Sequence, residues 1–96
     1  MSDFSLGVCV INLYIPHSQS LKAKRSVIKS LKDRIKNQFP VSVAEIGDLD
    51  LWQKSELAVA QVNGSSTIIS KTFETLIGFI ESHHEVSLVD YKIEML

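Results

Sequence analysis

Residues Phe4–Pro16, FSLGVCVINLYIP, decide the fold. The run is rich in β-branched residues, apolar on both alternating sides and closed by proline, which is the pattern of a central strand. Period-two alternation puts Cys9, Ile11 and Leu13 on one face and Val8, Val10, Asn12 and Tyr14 on the other. Such a strand needs helices over one face and strands on both flanks, and the following sequence supplies them in order. Ser18 or Ser20 can cap a helix whose apolar residues Leu21, Ile28, Leu31 and Ile35 recur at helical spacing until Phe39-Pro40 ends it. The helix spans about five turns. VSVAEI, Val41 to Ile46, reads as a second strand, Gly47 to Ser55 as a loop, and ELAVAQV, Glu56 to Val62, as a third strand. Asn63-Gly64 is a turn signal, and Ser65 or Ser66 caps a second helix with Ile69, Phe73, Leu76, Ile77 and Ile80 on one side, ending near His83-His84. Val86 to Leu96 closes the chain as a strand with Val89, Tyr91, Ile93 and Met95 on one face and Asp90, Lys92 and Glu94 on the other.

The order βαββαβ, with right-handed crossovers, predicts an α+β ferredoxin-like sandwich: a four-stranded antiparallel sheet with both helices on one face and the first and third strands at its centre. Ninety-six residues form a single domain, 1–96, large enough to bury a core without metal or disulfide staples. The lone Cys9 lies within Val8-Cys9-Val10-Ile11, where a thiol acts as a small hydrophobe, so it is expected to be buried and unreactive in a reducing compartment. Met1-Ser2-Asp3 is acidic where a signal peptide is basic, and the first apolar stretch breaks at Asn12, far short of a bilayer span. A cytoplasmic protein without a membrane partner is expected.

Net charge is −1, but seven of the ten Lys and Arg fall between Lys22 and Lys36 with Asp33 as the only acid among them. That segment carries +6 and the rest −7. Stepping roughly 100° per residue gathers Lys22, Arg25, Lys29, Lys32 and Lys36 into one stripe beside the apolar face. Lys22, Lys24 and Arg25 lie in the first turns, where the helix dipole disfavours cations and free backbone N–H groups attract anions. A polyanion such as RNA would offset that cost through phosphate contacts, whereas the plain alternative is a solvated basic face.

Ser20-Leu21-Lys22-Ala23-Lys24-Arg25, Val41-Ser42-Val43-Ala44-Glu45 and Asp50-Leu51-Trp52-Gln53 occur in this order on the βαββαβ plan. Together they resemble the YlxP-like family of small bacterial proteins of unknown function, across essentially the whole chain. The resemblance implies a ferredoxin-like fold and no established activity. Genes of such proteins often lie among those for translation and ribosome maturation, which implies RNA or the ribosome as a partner by association.

Other chemistry is weakly supported. The third strand lacks the aromatic residues by which RNA-recognition motifs stack bases, and there is no GXXG loop of the KH type. Asp48, Asp50 and Glu45 are hard-cation ligands, but no further acid converges on them by spacing, so no metal is assigned. Adjacent His83 and His84 point about 100° apart on a helix, and a protonated imidazole suits a helix carboxyl end, so they read as a helix terminus. His17 has serines nearby but no acid at a triad spacing. No catalytic residue, cofactor or small-molecule substrate is therefore identified, and the chain is read as a non-catalytic module. Trp52 reads as a lid over strand ends, with a stacking platform for a loop contact as the alternative.

Two further expectations concern surfaces. The sheet face without helices would show Val8, Val10, Tyr14 and Leu88, more apolar surface than a monomer leaves wet, so a homodimer through that face or a sheet edge is expected. Lys24 occupies a position on the apolar helix stripe. Either its stem covers the core edge while the ammonium reaches water or an acid such as Glu45, or it joins Lys22 and Arg25 around an anion.

Overall fold

A computed structural model describes residues 3–96, so Met1 and Ser2, on which the reading of the amino terminus partly rests, lie outside the described residues. Six elements follow one another: β1 (Ser5–Tyr14), α1 (Leu21–Gln38), β2 (Ser42–Gly47), β3 (Lys54–Asn63), α2 (Ser66–Glu81) and β4 (Ser87–Met95). They build one antiparallel sheet in the order β2-β3-β1-β4 with two helices, an α+β fold of ferredoxin-like type. The central pair β1–β3 runs in unbroken register from Ser5 opposite Asn63 to Tyr14 opposite Lys54.

The alternation read in β1 is the alternation observed. Cys9, Ile11 and Leu13 are buried under the helices, and Leu57 and Val59 of β3 join them against Ile28, Leu31 and Ile35 of α1 and Ile69, Phe73, Leu76 and Ile80 of α2. Removal of each such side chain from water contributes about 1.5–3 kcal/mol, which makes this layer the main source of stability. Burial pushes the Cys9 thiol up to about 11, so the neutral thiol is held. Gly7 lets α2 settle on β1: a Cβ there would stand 2.5 Å from Ile69 Cγ2 and 3.0 Å from Phe73 Cε2.

Capping resolves onto Ser20, whose Oγ accepts from Ala23 N at 3.0 Å, and Ser65, whose Oγ accepts from Ile68 N at 3.4 Å. The β2–β3 connection is shorter than the sequence suggests. Lys54 and Ser55 belong to β3 because the ladder continues to Tyr14 and Leu13, and Ser55 is buried beneath it.

One expectation about the sheet is overturned. Leu88 was assigned to the uncovered face, but a β-bulge in the β1–β4 pairing falls between Asn12 and Leu13 and shifts the phase of β4. Leu88 thereby sits opposite Leu13 and packs against the core, while Asp90, Lys92 and Glu94 face outward opposite Asn12, Val10 and Val8. No helix among the described residues is long and apolar enough to cross a membrane.

Candidate functional site

α1 contains no acid in its first turn and only Asp33 thereafter, so its solvent face is almost purely basic. Lys22, Arg25, Lys29, Arg34 and Lys36 are exposed and Lys32 half-buried, while Ile28, Leu31 and Ile35 hold the opposite side in the core. Lys29 Nζ donates to Asp33 Oδ2 at 3.0 Å across one turn. The neighbouring lysines, that bond foremost, hold the Asp33 carboxyl below its ordinary range. Such an exposed pair contributes little to stability and leaves the stripe free to exchange partners.

Lys24 stands apart from this group, and its assignment to an anion site is corrected. It has no accessible surface, and its Nζ donates to Glu45 Oε2 at 2.8 Å, to the Asp48 carbonyl at 2.8 Å and to the Leu49 carbonyl at 3.4 Å. Three acceptors match the three N–H donors of an ammonium. Glu45 Oε2 also accepts from Ser55 Oγ at 2.7 Å. The inward charge is thus a structural pin joining α1, β2 and β3, and Glu45 is occupied by it rather than by a cation shared with Asp48 and Asp50.

The family model for "Protein of unknown function (DUF503)" matches residues 6–93. The chain belongs to this family. It is 35% identical over 81 residues to "Uncharacterized protein YlxP" of Bacillus subtilis (strain 168), a match that covers 84% of this chain and 88% of that one. Among solved structures it is similar to "De novo designed protein Foldit4", with a TM-score of 0.54, 14% identity and 96% of each chain covered; that likeness concerns the fold alone.

In this DUF503 chain the pinned loop after β2 presents apolar side chains outward. Trp52 is 54% exposed, with Leu49 and Leu51 beside it, so the expected lid over the strand ends is not what the indole forms. The reason is the backbone: Gln53 turns inward instead, donating from Nε2 to the Pro16 and Ser18 carbonyls at 3.4 and 3.0 Å, and its own carbonyl accepts from Ile15 N at 2.8 Å. Trp52 is left on the outer side of a loop that Gln53 and Lys24 fasten from below.

Two groupings were missed by spacing. A depression of about 510 Å³ beside the start of α1 brings together His17, Ser18, Ser26, His84 and Glu85. The Ser18 hydroxyl is committed to the Ser20 carbonyl at 3.0 Å, and no hydrogen bond among the described residues joins a serine there to His17. The second concerns His83. It is buried with Nδ1 unpartnered, and burial foremost, then the Arg34 charge, lowers its pKa from the ordinary 6.5. α2 ends at Glu81, just before His83 and His84, as their reading as a helix terminus expects, and burial disfavours the charged imidazole at His83. That shift arises from the three-dimensional meeting of α1 with the α2–β4 turn. On the sheet, Val8 and Val10 are half-buried and Tyr14 is exposed on the face without helices, where their cross-strand neighbours are Ala60, Ala58 and Lys54.

Proposed function

We propose that this protein is a non-catalytic module that binds RNA, including RNA of the ribosome, along α1. The observation that carries the reading is the stripe itself: Lys22, Arg25, Lys29, Lys32 and Lys36 run along a single helix flank, and the helix is fastened near its start by the Lys24–Glu45 pair and held in the core by Ile28, Leu31 and Ile35. A row of cations on a rigid rod tracks a phosphate backbone through sequence-independent, counterion-releasing contacts. Removing Lys24 from the stripe narrows the site without breaking it, because the exposed cations need no help from a buried one. Lys29 exchanges Asp33 for a phosphate at little cost.

Fluorescence anisotropy of a labelled single-stranded RNA, measured across a salt series, tests this. Wild type is expected to bind with an affinity that falls linearly with the logarithm of salt. The triple variant Lys22→Ala, Arg25→Ala, Lys29→Ala is expected to lower the slope by roughly two, since each single-strand phosphate contact contributes about 0.7. Lys71→Ala, on α2, is expected to leave both affinity and slope unchanged. Absence of binding by wild type at low salt, or equal losses in the two variants, removes the proposal.

A further inference from the structure

β4 is a nine-residue edge strand exposed along nearly its whole length, and it lacks most of the devices that keep such edges single. It contains no proline, and its irregularity is confined to the end near Leu88. From Asp90 onward the ladder to β1 is regular, so the opposite side of that segment presents an ordered row of backbone donors and acceptors. Its helix-side row is apolar and only partly covered: Tyr91 is 49%, Ile93 36% and Met95 41% exposed beside α2. On the other face the sequence alternates in charge, Asp90, Lys92, Glu94, with Lys92 Nζ 3.1 Å from Glu94 Oε1.

We propose that β4 pairs antiparallel with β4 of a second copy about a twofold axis at Ile93, making one continuous eight-stranded sheet. The charge pattern selects this register. In an antiparallel pair related by a twofold, residues equidistant from the axis face each other and stay on the same side of the sheet. An axis at Lys92 sets lysine against lysine and Asp90 against Glu94. An axis at Ile93 sets Lys92 of each copy against Glu94 of the other, twice, and turns two exposed intrachain pairs into a four-charge cluster. The same register places Tyr91 against Met95 and Ile93 against Ile93, closing the apolar row into a strip between the two α2 helices. It uses Asp90–Leu96 alone and so avoids the bulge. The helix-free sheet face is separate from this edge, with Ala58 and Ala60 opposite Val10 and Val8 at its centre.

Light scattering at micromolar concentration is expected to give twice the 10.7 kDa chain mass for wild type. Lys92→Glu, which opposes acids across the axis twice, is expected to raise the dissociation constant about ten-fold or more. The swap Lys92→Glu, Glu94→Lys is expected to restore the dimer, yet subunits of the swapped protein and of wild type, labelled with a fluorescent donor and acceptor, are expected not to exchange. Val10→Glu, on the sheet face, is expected to leave the dimer intact. A wild-type monomer up to its solubility limit overturns the proposal, including one that takes an extended foreign peptide along β4. So does free exchange between swapped and wild-type copies, or a dimer that Val10→Glu dissociates and Lys92→Glu does not.

Discussion

At the residue scale, Lys24 and His83 are two polar side chains that the fold buries, and it provides for them differently. An ammonium without accessible surface is tolerable only when every donor is matched, and Glu45 with the carbonyls of Asp48 and Leu49 does this. The arrangement ties the helix to a loop in which Asp48 adopts the left-handed conformation, φ 58°, a region that aspartate enters more readily than most residues. Lys24→Met is expected to destabilise the fold by about 3 kcal/mol, because it strands the mostly buried Glu45 carboxylate. Adding Glu45→Leu is expected to recover most of that loss, while amide exchange in the loop stays faster than in wild type because its carbonyl anchor is gone. Urea unfolding and hydrogen exchange read the two effects; a single variant as stable as wild type would mean that the pair contributes no net stability. His83 works in the opposite sense. Its folded pKa lies below the unfolded value, so the unfolded chain binds the proton more tightly, and stability is retained above 6.5 and lost as pH falls through the folded pKa. The groups facing it act together: Arg34 from α1 and His84 oppose the proton, and Glu85 favours it. His83→Phe is expected to flatten the acid limb of a thermal-stability profile, whereas an unchanged limb would assign the acid loss to other groups.

At the element scale, strands and helices were legible wherever a periodicity ran unbroken. β1 reads as a central strand because its apolar residues fill both faces, and α1 shows Lys24 as an inward charge because helical spacing leaves it no other direction. The misreadings share a cause, which is that local pattern does not report pairing. Nothing in Ser87-Leu88-Val89 marks a bulge, so Leu88 was carried to the wrong face by strict alternation; only the ladder to β1 reveals the extra residue. Trp52 was folded over the core because indoles usually are, but neighbouring Gln53 takes the inward position by hydrogen-bonding the chain that follows β1. The exposed cations Lys22, Arg25, Lys29 and Lys36 were legible because helical spacing puts them on one flank away from the apolar stripe, whereas Lys24, on that stripe, is buried by β2 and the loop after it. The lowered pKa of His83 was not, because it arises where α1 meets the turn after α2.

At the scale of the whole molecule, α1 and β4 lie toward opposite edges of the sheet, since α1 packs beside β2, at one end of the order β2-β3-β1-β4, and β4 forms the other end. Pairing through β4 therefore leaves both α1 stripes uncovered and sets them toward opposite edges of one eight-stranded sheet. Two cationic stripes on one rigid particle bind a long polyanion bivalently, and the second engagement is intramolecular whenever the RNA can span the gap. A short oligonucleotide reaches only one stripe. Wild type and Lys92→Glu are accordingly expected to bind a short RNA equally well, while a long RNA is expected to bind wild type at least about ten-fold more tightly than the variant. The Lys92→Glu, Glu94→Lys swap separates avidity from local charge, because it restores the dimer without restoring lysine at position 92. Its affinity for long RNA is expected to match wild type. If all three proteins bind long RNA alike, the two stripes do not act together; if Lys92→Glu weakens binding to the short RNA as well, β4 itself touches the nucleic acid and the separation of the two surfaces is wrong.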